Sequence, residues 1–148
     1  MMKVLVLNGP NLNRLGKREP TIYGNETLEQ IMNDLDQQAK LLEVEIAHKQ
    51  SNHEGELIDW IHQADDRYDG IILNAGAFTH YSYAIRDAIA SISSPTIEVH
   101  LSNIYARESF RHTSVLSEVV IGQISGFGPI GYELAVRGLI HFLRGKNR

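Results

Sequence analysis

The chain has 148 residues, 43% of them hydrophobic, with a formal net charge of -4 and a pI near 5.9. That length suits a single domain (1–148) around one core, and the negative balance excludes nucleic acid and the membrane surface as bulk electrostatic partners, since both are polyanionic. The absence of cysteine excludes a disulfide framework, thiolate catalysis and thiolate metal sites, and fits a reducing compartment.

The first predicted element is the strand KVLVLN (3–8). Its apolar core is too short for a secretory signal, and no apolar run in the chain is long enough for a bilayer, so the expected location is cytoplasmic. Next comes NGPNLNRLGKREPTIYG (8–24), polar, cationic and broken by glycine and proline. Connections this long are uncommon in compact domains unless they act as lids or binding loops, and this one is expected to be a lid carrying a base.

A helix follows over 27–42, with Thr27 and Gln30 at capping-box spacing and Leu28, Ile31, Leu35 and Leu42 near one stripe. VEIAHK (44–49) predicts the second strand, and 51–66 a second helix for which Ser51 and Glu54 suggest another capping box. GIILNA (70–75) is the third strand, HYSYAIRDAIASI (80–92) the third helix, and TIEVHL (96–101) the fourth strand. A short helical piece is expected within ARESFRH (106–112), a fifth strand over EVVIGQIS (118–125) and a last helix over 131–145. β-Branched, nearly continuous apolar strands alternating with helices imply a parallel sheet covered on both faces, a three-layer α/β domain.

Ligands of such sheets bind beyond the carboxyl ends of the strands. Asn8, Asn11, Arg14, Lys17, Arg18 and Tyr23 follow the first strand; Asn74, Gly76, Thr79 and His80 follow the third. The fourth carries Glu98 and His100, then Ser102, Asn103, Arg107 and Arg111. Chemistry is therefore expected on this rim.

Glu98 and His100 alternate by two along a strand and so share a face. A carboxylate beside an imidazole fixes its tautomer and favours its charged form, as a general acid near neutral pH requires; a hydrogen-bonded core histidine is the equal alternative. Arg107 and Arg111 at i, i+4 on one helical piece would make a clamp for a carboxylate or phosphate, or else a solvated face. Tyr23 becomes a workable base only if cations such as Arg18 and Arg107 stabilise its phenolate. GFGPIG (126–131) lacks the Lys-Ser/Thr ending of a phosphate loop and reads as a turn into the last helix, and the other histidines fall in no metal spacing.

NGPNLNRLGKREPTIYG, LNAGAFTHYSYAIRDA, EVHLSNIYARESFRHTS and GQISGFGPIGYELA resemble, in order and spacing, the type II 3-dehydroquinate dehydratases of the shikimate pathway, over essentially the whole chain. The resemblance implies a flavodoxin-like fold with strand order 2-1-3-4-5, a homododecamer built from trimers, and dehydration of 3-dehydroquinate to 3-dehydroshikimate without metal or organic cofactor. It assigns Tyr23 as base, Asn11 as holder of the water that stabilises an enolate, and His100 as acid oriented by Glu98. Arg18 and Arg107 would keep Tyr23 ionised. Asn74, His80, Leu101, Ser102 and Arg111 match substrate-holding positions, and Asp87 matches a residue reaching the neighbouring subunit's site.

The chemistry is consistent with those residues. A proton next to a ketone is weakly acidic, so a base, an oxyanion holder and an acid are all required. No lysine lies in an apolar strand interior, where desolvation would suit it to an imine route. The competing class is a non-enzymatic flavodoxin-like module, but the strand ends LNGPN and LNAGA lack a receiver's acidic cluster and acceptor aspartate.

Overall fold

A computed structural model describes residues 1–17 and 20–146, apart from the side chains at 20, 23 and 146. β1 (Met2–Asn8), β2 (Val44–Gln50), β3 (Gly70–Asn74), β4 (Thr96–His100) and β5 (Gly122–Ser125) form one parallel sheet in the order β2-β1-β3-β4-β5, as expected. Helices α2 (Leu28–Leu41) and α5 (Ile130–Lys146) cover one face, and α3 (Glu54–Ala64) and α4 (Tyr83–Ala90) the other. A four-residue helix, α1 (Pro20–Tyr23), lies in the β1–α2 connection.

The double cover explains the apolar runs. In β1, Val4 and Val6 enter the cluster under α2 and α5, while Leu5 and Leu7 enter the cluster under α3 and α4. In β1 and β3 the runs turn polar at their carboxyl ends, at Asn8 and Asn74. Register pairs Asn8 with Asn74, Leu73 with Glu98, and His100 with Ser125, so strand ends from β1 to β5 line one edge.

The capping box at α2 is present: Thr27 Oγ1 accepts from Gln30 N at 3.2 Å and Gln30 Oε1 from Thr27 N at 2.9 Å. The second expected box is not. Ser51 N–H is taken by Asn8 O at 3.0 Å and Ser51 Oγ by His53 N at 2.9 Å, so the chain stays extended to His53 and α3 begins at Glu54. The Glu54 carboxylate instead accepts from the Ser82 hydroxyl, and Ser82 caps α4 by accepting from Ile85 N. The third helix is accordingly shorter than 80–92, with a 3-10 segment at Gly76–His80 before it.

The fifth strand is also shorter than expected. Val119 and Val120 are apolar because they pack on the α3/α4 cluster, not because they are paired in a sheet. Val119 N closes a turn onto Leu116 O, and pairing with β4 begins only at Gly122.

Candidate active site

The carboxyl edge of the sheet opens into a cavity of about 170 Å³. Asn11 reaches it from the β1 connection, Asn74 from the end of β3, and His80 from the 3-10 segment that follows; His100, Leu101 and Ser102 come from the end of β4, and Arg107 and Arg111 from beyond it. Eight expected site residues are thus gathered from connections that are distant in sequence. Across Leu101, Ser102 and Arg107 lies a second cavity of about 430 Å³, whose wall includes Ile22 and Gly24, so the α1 segment borders the site.

His100 Nε2 lies 2.5 Å from Glu98 Oε2. Glu98 is fully buried, and its other oxygen accepts from Ser114 Oγ at 2.8 Å and Gln123 Nε2 at 3.0 Å. Burial pushes this carboxyl upward, but the hydrogen bond and charge of His100, with the Ser114 and Gln123 bonds, outweigh it and leave the pKa below the ordinary value. An ionised Glu98 only accepts, so the proton between the two sits on His100 Nε2. Nδ1 remains as the ring atom for proton transfer.

His80 stacks beside that ring, with centroids 6.3 Å apart and planes 18° from parallel. Its Nδ1 bonds Thr113 O at 2.9 Å and therefore carries a hydrogen. Burial lowers its pKa, with His100 and Arg111 adding to the effect against the Thr113 carbonyl and Glu98. A neutral His80 of that tautomer offers the Nε2 lone pair to a hydroxyl.

The two arginines do not share one helical face as the spacing suggested. Asn103 Oδ1 caps one 3-10 turn (Ile104–Ala106) by accepting from Tyr105 N, Arg107 is extended, and a second 3-10 turn (Ser109–Arg111) carries Arg111. Both still line the cavity. Arg107 Nη1 donates to Ser102 Oγ at 3.3 Å, and Arg111 Nε to Glu108 Oε1 at 3.1 Å. A chain with net negative charge thereby presents a cationic wall where an anion would enter.

Asn74 is 3% exposed and its Nδ2 donates to Tyr132 Oη at 3.1 Å; that hydroxyl in turn donates to Asn8 Oδ1 at 2.5 Å. Glu98 lies behind His100 and not in the cavity wall. Asp87 is exposed on α4 and lines none of this chain's own cavity. Arg18 lies outside the described residues. Tyr23 is placed only by its backbone, as the last residue of α1.

The description "Dehydroquinase class II" belongs to the family model that matches residues 2–140. The chain belongs to this family. It is 64% identical over 140 residues to the 3-dehydroquinate dehydratase of Halalkalibacterium halodurans, covering 95% of this chain and 97% of that protein. A Bacillus cereus 3-dehydroquinate dehydratase is 62% identical over 145 residues, with 98% and 99% covered. Among solved structures, the type II dehydroquinase of Butyrivibrio crossotus superposes with a TM-score of 0.91 at 54% identity, covering 93% of this chain and 97% of that one. A 3-dehydroquinate dehydratase-like protein from Bifidobacterium longum gives 0.74 at 33% identity, covering 97% and 99%.

Sequence reasoning did not identify the partners that hold these cavity side chains in place. Ser114 and Gln123 bond the buried Glu98 carboxylate, Tyr132 bonds Asn8 in the core, and Thr113 orients His80 through its carbonyl. Gln123 left a faint signal, as a polar residue inside a β-branched strand. Asn8 stood out as a polar residue at a strand end, though its partner did not; Ser114, Tyr132 and Thr113 left no signal, because their partners are distant in sequence.

Proposed function

We propose that this chain is a type II 3-dehydroquinate dehydratase, a hydro-lyase of the shikimate pathway that serves aromatic amino acid biosynthesis. The observation that carries the reading is the buried Glu98–His100 pair opening into a cavity walled by Arg107 and Arg111. Family membership agrees with it.

In the proposed mechanism, the Tyr23 phenolate removes a proton from the carbon next to the ketone, and the bonding pair moves onto the carbonyl oxygen. Asn11 holds the water that stabilises this enolate. Collapse of the enolate re-forms the ketone and expels the hydroxyl from the next carbon, while His100 protonates that leaving oxygen, so one water and one conjugated enone result. Arg18 and Arg107 keep Tyr23 ionised. Asn74, His80, Leu101, Ser102 and Arg111 hold the substrate, the backbone after His100 and Ser102 receiving its carboxylate.

The reading includes a cytoplasmic homododecamer of trimers in which Asp87, exposed on α4, reaches a neighbouring site; light scattering tests the mass. No helix of the described residues is long and apolar enough to cross a membrane. The decisive assay follows enone absorbance after addition of 3-dehydroquinate. Turnover supports the reading, and a folded chain that makes no enone refutes it. Tyr23→Phe should lower kcat by about 10²–10⁴-fold with ligand binding retained; near-normal turnover would remove Tyr23 from the role of base.

A further inference from the structure

Asn11 has φ 69° and ψ -3°, and Glu43 is the one other non-glycine residue with positive φ among the described residues. Left-handed backbone is uncommon for residues with a Cβ, though asparagine enters it more readily than most, so what holds it there is set by the surroundings. The chain on either side is fixed. Gly9 N donates to Asn74 O at 2.7 Å, and a Cβ at Gly9 would lie 2.6 Å from Ala75 O, so this turn lies flat against the end of β3. Downstream, Leu12 is buried and starts a 3-10 turn.

Two side chains, one at the end of β2 and one in the connection to α3, complete the support. Asn52 Oδ1 accepts the Asn11 backbone N–H at 2.9 Å. Gln50 Nε2 donates both to that Asn52 oxygen, at 3.1 Å, and to Gly9 O, at 3.1 Å. The backbone groups fix both amide orientations: a peptide N–H demands an oxygen from Asn52, and a peptide carbonyl demands a nitrogen from Gln50. The clamp itself stands on rigid chain, since Gln50 ends β2 in register with Asn8 and Ser51 N donates to Asn8 O at 3.0 Å.

We propose that Gln50 and Asn52 are positioning residues that hold Asn11 left-handed and so set the angle at which its side chain meets the cavity. The catalytic consequence rests on the proposed function, in which Asn11 stabilises the enolate. Asn52 is exposed, so its replacement should leave folding intact.

The clamp is tested without substrate by amide hydrogen exchange at Asn11, read by NMR. Asn52→Ala should speed exchange at that site at least about tenfold, while Asn52→Asp, which keeps the accepting oxygen, should not; unchanged exchange in Asn52→Ala overturns the clamp. Turnover tests the consequence. Asn52→Ala should lower kcat about tenfold with KM within about twofold, because small misplacements of a catalytic group cost rate, and Asn52→Asp should restore most of it. In an Asn11→Ala background the same change should cost nothing further. Unaltered kcat, or an equal loss with Asn11 already removed, overturns the positioning role. A wild-type chain that makes no enone refutes the proposed function, and the exchange result still decides the clamp.

Discussion

Two buried polar networks lie at the same end of the sheet, one on each face. On the α2/α5 face, Asn8, Tyr132 and Asn74 are joined through one hydroxyl. On the α3/α4 face, Glu98 is joined to His100, Ser114 and Gln123. Both ends reach the cavity, through Asn74 and His100. The first network is neutral: burial raises the Tyr132 phenol, against the Asn74 hydrogen bond, so it stays protonated at any working pH. The second carries a charge whose stability depends on its donors. A neutral network can orient a group; a charged one can also store and release a proton.

The largest expected effect is on the charged side. His100→Ala should reduce kcat by about 10²–10⁴-fold, the range for loss of a general acid. Glu98→Gln keeps the shape and removes the charge, so it should cost about tenfold or more in kcat and move the pH–rate profile. The neutral network should respond otherwise. Tyr132→Phe strands Asn8 Oδ1 and Asn74 Nδ2 in the core and should lower stability by about 1–3 kcal/mol, read as a shifted urea midpoint with the pH profile of turnover unchanged. A Tyr132→Phe variant whose pH profile moves would erase the distinction between the two faces.

The same contrast separates what was legible in the sequence from what was not. Strands and helices were readable because burial on both faces of a sheet leaves near-continuous apolar runs, and Glu98 and His100 were readable because a strand alternates by two. The fifth strand was overextended at Val119 and Val120, since a buried turn and a buried strand leave the same apolar signal. Ser51 and Glu54 had the spacing of a cap but are engaged by Asn8 and Ser82, partners that local spacing cannot reveal. Arg107 and Arg111 reach the cavity as expected, yet from two separate turns. Asn8 and Tyr132 stand 124 residues apart and meet only through sheet register and helix packing. Local periodicity carries the frame and the charged pair; the orienting partners are products of the tertiary fold.

The smallest effect makes the sharpest test, because it depends on sign. Glu98 has a folded pKa below the ordinary carboxyl value of 4.5, so the stability it contributes is present above that value and is lost as pH falls through the folded pKa. Ser114 Oγ donates to the charged form. Ser114→Ala should therefore move the folded pKa upward, toward 4.5, and shrink the window between the two values. Relative to the wild type, the variant should lose about 0.5–1.5 kcal/mol near neutral pH, and the deficit should narrow as the pH falls below 4.5 and the carboxyl is protonated in both chains. Tyr132→Phe, measured by urea unfolding over the same pH range, should show a constant deficit, because no group in its network titrates there. A Ser114→Ala deficit that stays flat with pH would mean that the hydroxyl packs against Glu98 without stabilising its charge, and the α3/α4 face would then be as neutral in its energetics as its counterpart.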